Sequence, residues 1–592
     1  MINESDFILV PRPRECSVTG SGPALSTPVA ETENGELPAE GFALDITADG
    51  VRLAYRDAAG RRYGRALLEQ VRSQSDGNWP GLRVRDWPDY PVRGYMLDIS
   101  RGRVPTRSTL ENLVDLLELV RVNHFQLYTE HTFAYRDHET VWRDASPMTP
   151  GDIAWLDELC ASRGIELVAN QNCFGHYENW LKHEAYRHRA ELPEGFELFG
   201  RHRPATTLAP TPDNADFALG LVDELVGHFR SDRVNIGCDE TWELGRGASA
   251  AEVAERGKGR VYLDHLRRLA DPLLAKGLDV QFWGDIITHH PELVPELPDG
   301  ATVVAWDYEA PWAPADIERM KAAHGERFRD AGLDIEAKLD GFTSTVEPFT
   351  RAGYPFWVAP GTGTWRSLIG RLDTAYGNLL DTVQVGLSGG ATGVLITDWG
   401  DNGHLQPLSV SYPPIVYGAA LSWGLDANRD LDAASVLNRL VLGGTKLGTV
   451  LDALGRAAAS TGQLAFNSSP FALALESDDG ITAGEPDPVR VAALIDGFDA
   501  ALNDLAAASD DSAHAAAVKR ELTSATRLAR HGGWRMLRAA GASAPGDAAL
   551  RDDLIEAIAL HRESWFERSR PGGIERGFAN LDGLLGSYPT GT

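Results

Sequence analysis

Asn235-Ile236-Gly237-Cys238-Asp239-Glu240, preceded by Arg233-Val234 and followed by Thr241-Trp242, reads as a short buried strand over 233–236. It breaks at a glycine and presents two adjacent carboxylates. Aspartate and glutamate are poor residues for a strand interior. Two of them together at a strand's end ask for a reason. One is a helix N-terminus, whose dipole favours acids. The other is a catalytic pair.

The flanking pattern bears on that choice. From 93 to about 430, short apolar runs alternate with helical stretches such as 110–120 and 217–229. This is the pattern of βα units and a parallel sheet. Eight strands are expected, at 95–99, 125–130, 166–170, 234–236, 280–283, 303–306, 356–359 and 394–397. Eight βα units over 91–430 fit the size of an α/β TIM barrel, (β/α)8, with insertions. A doubly wound open sheet is the alternative.

Two further regions flank the barrel. Residues 1–90 contain short alternating runs, 42–46 and 51–55, a turn at 57–60 and a helical stretch at 64–72, the makings of a small α+β domain. It ends in the joint Trp87-Pro88-Asp89-Tyr90-Pro91. Residues 431–592 are Ala/Leu-rich and expected to form a C-terminal helical domain. There Asp487 serves as N-cap and Pro488 as first helical residue, and Val491, Leu494, Ile495, Phe498, Leu502 and Leu505 repeat at helical spacing. Further helices are expected near 515–530 and 550–568.

Composition narrows the function classes. A chain of 592 residues is too long for one core. With 85 acidic against 56 basic residues the net charge is −29, which argues against nucleic-acid binding, since phosphate neutralisation needs clustered Lys and Arg. Cys16, Cys160, Cys173 and Cys238 form no CxxC pair and suit a reducing compartment. The first residues show no basic segment and apolar core of a signal peptide. No apolar run approaches the ~18 residues needed to span a bilayer. A cytoplasmic location without membrane contact is expected.

In a TIM barrel the site lies at the C-terminal ends of the strands. The residues there are Asp98, with Arg93 just before the strand; Glu130 and His131; Asn170-Gln171-Asn172 and then Phe174-Gly175-His176; Asp239 and Glu240; Trp283 and Asp285; Trp306, Asp307 and Tyr308; and Asp398, Trp399 and Asp401. Tryptophan faces stack on the C–H faces of sugar rings, and acids and amides hydrogen-bond hydroxyls. The ring of residues suggests a carbohydrate pocket. A metal hydrolase would need His and carboxylate ligands in regular spacing, and His131, His176 and His289-His290 do not supply it.

These segments resemble glycoside hydrolase family 20, the β-N-acetylhexosaminidases. Arg93-Gly94-Tyr95-Met96-Leu97-Asp98-Ile99-Ser100-Arg101 is similar to the family's first barrel strand, Phe174-Gly175-His176 to its Pro-Gly-His, and Gly237-Cys238-Asp239-Glu240 to its Gly-Gly-Asp-Glu. The run 236–247 is closest to the intracellular hexosaminidase D type, in which Cys also replaces the second Gly. Ile8-Leu9-Val10-Pro11-Arg12-Pro13 resembles the start of the family's zincin-like N-terminal domain. The resemblance covers roughly 5–430 and leaves the helical tail outside.

The resemblance implies an exo-acting, retaining hydrolase of terminal β-linked GlcNAc or GalNAc that uses substrate-assisted catalysis and no cofactor or metal. In it Asp239 orients the substrate's acetamido group and Glu240 is the acid and base. Trp283, Trp306 and Trp399 wall the sugar, Arg93 and Asp401 hold hydroxyls, and His176 supports the acid pair. Glu130 stands where the family usually has Asp. The family's Tyr after strand seven is missing from Trp357-Val358-Ala359-Pro360-Gly361, and Tyr308 is the candidate to replace it. The rival readings are a sugar-binding barrel that has lost catalysis and a metal-dependent hydrolase. The tail is expected to help form a homodimer or to close one side of the pocket.

Overall fold

The computed structural model describes residues 7–198, 200–476, 480–509 and 511–589. Residues 1–6, where no signal peptide is expected, lie outside the described residues.

The N-terminal sheet has five strands in the spatial order Glu15–Ala24, Asn78–Asp86, Phe42–Thr47, Gly50–Tyr55 and Val29–Glu33. Burial alternates strictly along Phe42–Thr47, as the period of two requires when one face is covered. The cover is the helix Ala58–Ser73, which buries Leu67, Leu68 and Val71. This helix begins earlier than the sequence suggests. Asp57, expected in a turn, caps it by accepting from Gly60 N at 2.9 Å.

Eight parallel strands close a barrel: Val92–Asp98, His124–Thr129, Glu166–Gln171, Arg233–Asn235, Asp279–Trp283, Thr302–Trp306, Phe356–Ala359 and Gly393–Asp398. All eight expected strands are present, which excludes the open-sheet alternative. Closure comes from strand three pairing with strand four, Asn170 beside Asn235, and strand eight with strand one, Ile396 beside Tyr95. Tyr95, Leu97, Phe125 and Leu127 pack outward with the helices. Met96, Tyr128, Trp283, Trp357 and Leu395 fill the interior. Below them Gln126 donates to Gln281 Oε1 at 2.9 Å and accepts from Asn170 Nδ2 at 2.8 Å.

The tail is helical, as expected, with Pro488–Ala507, Ala513–Ala539, Asp547–Arg568 and Ile574–Ser587 as its main helices. Asp487 caps the first by accepting from Val489 N at 2.9 Å. The tail docks on the loops that leave the C-terminal ends of the strands. Arg103, after strand one, donates to Ser569 Oγ at 2.9 Å and stands 4.3 Å from the Trp565 ring.

At the opposite end, two arginines join the barrel to the sheet. Arg93 pairs with Glu40 at 2.8 Å and donates to Tyr63 Oη at 2.9 Å. Arg121 pairs with Asp86 at 2.6 Å and lies 4.2 Å from the Trp423 ring. The Arg121 and Asp86 side chains are 1% and 0% exposed. Removing one partner leaves the other charge buried. Arg121→Met is therefore expected to destabilise the chain by about 3–5 kcal/mol, read as a lowered urea midpoint with native near-ultraviolet dichroism in the absence of urea.

Candidate active site

The acid pair owes its placement to backbone that most residues avoid. Gly237 has φ +67°, and Cys238 and Glu240 follow at +73° and +47°. A Cβ at Gly237 would lie 2.6 Å from Asn172 Cγ, so the first turn needs glycine. Left-handed non-glycine residues cost about 1–3 kcal/mol each and collect at functional sites. The neighbouring loop fits as tightly. A Cβ at Gly175 would come 2.4 Å from Asp239 O. Asn172 Oδ1 accepts from Cys238 N at 3.2 Å, and its Nδ2 donates to Asp239 Oδ1 at 2.6 Å.

Asp239 Oδ2 is 3.2 Å from His176 Nε2, and Glu240 Oε2 is 3.6 Å from the same nitrogen. The two carboxyls differ in access: the Asp239 side chain is 7% exposed and that of Glu240 35%. They differ in charge as well. Burial would raise the Asp239 pKa, but the charge of His176 and hydrogen bonds from His176 and Asn172 bring it below the ordinary value. Burial would lower the His176 pKa, but Asp239 lifts it to about 9. Burial raises Glu240, and the charge of Asp239 adds to the rise. At neutral pH this favours an imidazolium, an ionised Asp239 and a Glu240 that holds its proton longer than a surface glutamate.

A third carboxyl belongs to this cluster. Asp285 Oδ2 accepts from Glu240 N at 3.0 Å. Burial, with repulsion from Asp239, pushes its pKa up to about 7.

Arg101 stands on the other side. It pairs with Asp98 at 3.1 Å and Glu130 at 3.2 Å, and its Cζ lies 4.7 and 5.0 Å from the Tyr128 and Trp399 rings. Asp401 feels the Arg101 charge, yet burial keeps its pKa raised. Glu130 is raised by burial too, against Arg101 and His176.

The aromatic wall is continuous. Trp283 and Trp399 have ring centroids 6.0 Å apart. Trp306 stacks on Tyr308 at 5.0 Å. Tyr308 meets Trp365 edge-on at 5.1 Å and lies 6.4 Å from Trp399. Trp365 explains the missing tyrosine after strand seven. A Cβ at Gly361 would meet Trp365 Cη2 at 2.5 Å and Tyr308 Cδ1 at 2.9 Å. The volume a side chain there would use is already filled.

The structure thus gathers Asp239, Glu240, Glu130, His176, Trp283, Trp306, Tyr308, Trp399 and Asp401 at one end of the barrel. It does not bring Arg93 there. Arg93 lies near the start of strand one on the outward face, 1% exposed, and Glu40, Tyr63, Tyr90 O and Arg121 O take up its guanidinium. The reason is periodicity. Met96 points inward, so Arg93, three residues earlier, points outward. Arg101 is the arginine that reaches the acids; it lies past the strand's end at Asp98, where the alternation of the strand no longer sets its direction. Asn172 and Asp285 were visible as strand-end residues. Trp365 sits in a long loop and gives no local signal. Among the described residues no group of three or more His, Cys, Asp or Glu could hold a metal ion.

The protein is thus a (β/α)8 barrel with two adjacent carboxyls in different electrostatic states and an aromatic wall at the C-terminal ends of its strands. Residues 90–325 match the model of Glycosyl hydrolase family 20, catalytic domain. It is 26% identical over 345 residues to the beta-hexosaminidase of Akkermansia muciniphila, covering 51% of this chain and 66% of that protein. It is 24% identical over 340 residues to human hexosaminidase D, covering 55% and 63%. The match thus spans just under two thirds of these relatives. Its fold is similar to a Flavobacterium johnsoniae chitobiase, with TM-score 0.58, 15% identity, and coverage of 95% of this chain and 100% of that one. It also resembles a Vibrio harveyi exo-β-N-acetylglucosaminidase in complex with N-acetylglucosamine, with TM-score 0.55, 14% identity, and coverage of 76% and 78%.

The His176–Asp239 pair can be titrated directly. His176 is expected to titrate near 9 by imidazole NMR, and Asp239→Asn to bring it down towards the ordinary histidine value. A folded pKa above the unfolded one stabilises the fold fully below about 6.5, and the gain is lost as pH rises through about 9. The stability difference between wild type and Asp239→Asn should shrink across that window.

Proposed function

We propose that this chain is an exo-acting β-N-acetylhexosaminidase that retains anomeric configuration through substrate-assisted catalysis. One observation carries the reading: Asp239 and Glu240 are adjacent in sequence, share His176, and are driven to opposite protonation preferences. A pair of titratable groups pushed apart in this way marks a division of roles.

The chemistry follows from it. The substrate's own 2-acetamido oxygen attacks the anomeric carbon while Glu240 delivers its proton to the leaving glycosidic oxygen. The product of this step is an oxazolinium ion. Ionised Asp239, pinned by Asn172 and His176, accepts from the acetamido N–H and stabilises the positive charge on the ring. Glu240, now a carboxylate, takes a proton from water, and the water oxygen attacks the anomeric carbon. The oxazolinium opens, the acetamido group is restored, and two inversions leave the β configuration. Glu240 suits the acid and base role because it is the more open carboxyl of the pair.

Trp283, Trp306, Tyr308 and Trp399 form the wall for the acetamido group and the sugar ring. Buried Trp283 Nε1 and Trp306 Nε1 have no acceptor among the described residues, which leaves donors for a polar ligand. In this proposal Arg101 replaces Arg93 as the arginine for ring hydroxyls, with Glu130 and Asp401 beside it. Substrates are glycosides with a terminal β-linked GlcNAc or GalNAc. Among the described residues no helix is long and apolar enough to cross a membrane. The four free cysteines, three of them buried, fit the proposed cytoplasmic location.

Asp239→Asn and Glu240→Gln are each expected to lower kcat by about 10² or more on p-nitrophenyl β-N-acetylglucosaminide, with activity unaffected by EDTA in the wild type. Near-normal turnover by either variant would overturn the assignment. The basic limb of the pH–kcat/KM profile is expected above the ordinary glutamate value, because Glu240 must hold its proton. Asp401→Asn removes a negative neighbour that raises Glu240, so that limb should move to lower pH.

A further inference from the structure

The C-terminal tail reaches the aromatic wall. Asn467 Oδ1 accepts from Trp365 Nε1 at 2.6 Å, and Asn467 N donates to Glu309 Oε1 at 3.0 Å. Glu309 is itself fixed by Arg371 at 3.0 Å. The tail also holds the rest of the loop that carries Trp365. Ser469 N donates to Arg366 O and Ser469 Oγ to Ser367 O, both at 2.9 Å. Glu476 pairs with Arg366 at 2.6 Å. Trp365 is 1% exposed, so it does not face solvent. It presses on Tyr308, and the face of Gly361 that would carry a side chain packs against both rings. Tyr308 then stacks on Trp306 within the wall.

We propose that Asn467 is a positioning residue that, through Trp365, locks Tyr308 and so sets how large an N-acyl group the pocket accepts. This rests on the hexosaminidase reading. In substrate-assisted catalysis the acyl group is also the nucleophile, so its fit governs rate and not binding alone. A fixed wall that is one methylene too close discriminates by about 10–200-fold. Without the hydrogen bond from Trp365, the wall can yield. The acetyl substrate then loses alignment, and a longer acyl group gains space.

The test uses the full chain and p-nitrophenyl β-glucosaminides carrying N-acetyl, N-propionyl and N-butyryl groups. Asn467→Ala is expected to lower the acetyl-to-propionyl ratio of kcat/KM by about 5–10-fold, mainly through kcat on the acetyl substrate. Trp365→Phe keeps a ring but loses the N–H donor, and should act in the same direction. The double variant should be no worse than the stronger single one, because both remove one interaction. Asn467→Asp keeps an acceptor and should restore most of the discrimination. An unchanged ratio in Asn467→Ala, fully additive effects, or an equal loss on all three substrates would overturn the proposal.

If the wild type cleaves none of the three, the hexosaminidase reading falls. The positioning of Trp365 is then read alone from near-ultraviolet dichroism. Asn467→Ala should change the tryptophan bands in the wild-type background and not in Trp365→Phe. No change in either background would overturn the positioning.

Discussion

The ion pair of His176 Nε2 and Asp239 Oδ2, 3.2 Å long, is the constraint around which the upper half of the barrel is arranged. Burying a carboxylate is costly unless it is paired and hydrogen-bonded. Here the cost is met by one imidazolium and one amide, Asn172. Burial raises the pKa of the neighbouring Glu240, with Asp239 adding to the rise and His176 opposing it, so one buried cluster holds both an anion and an acid. It also explains the unusual backbone. Gly237, Cys238 and Glu240 adopt left-handed conformations because only that path turns Asp239 towards His176 and leaves Glu240 facing open space.

The barrel supports this arrangement in two layers. The amides of Gln126, Asn170, Asn235 and Gln281 hydrogen-bond one another below, so the interior is polar without charge, while Asn170 Oδ1 and Gln281 Nε2 have no partner among the described residues. Above them lie the rings of Trp283, Tyr128 and Trp399, and of the two acids Asp239 is the one shielded from water. Exclusion of water strengthens each electrostatic interaction in the site. Arg101 anchors the far side, bound between Asp98 and Glu130 and between two aromatic faces.

The two flanking regions serve opposite ends. The N-terminal sheet joins the bottom of the barrel through buried Arg93–Glu40 and Arg121–Asp86 pairs. The tail joins the top, where it touches the loops after strands one, six, seven and eight. A tail that only covered apolar surface would not need Asn467 to enter the hydrogen-bonding of Trp365 and Glu309.

The eight strands were legible in the sequence, because a strand buried on both faces must be a short apolar run, and eight such runs alternate with helical stretches. So were the acid pair and the aromatic ring, because in a barrel the residue past each strand faces the site whatever the loops do. Asp487 and Pro488 marked a helix start for a purely local reason. Side-chain direction at a strand's beginning was less legible. Arg93 and Arg101 flank the same strand, and only the closed barrel, with Met96 inward, shows that Arg93 turns to the N-terminal sheet while Arg101 reaches the acids. The filling of the space at Gly361 brings in Tyr308 from the end of another strand, and the bond from Trp365 to Asn467 joins residues 102 apart in sequence. Local sequence carries the periodicity of burial and the chemistry at strand ends. Which distant side chains share a volume is decided by tertiary packing, because that depends on closure of the barrel and docking of the tail.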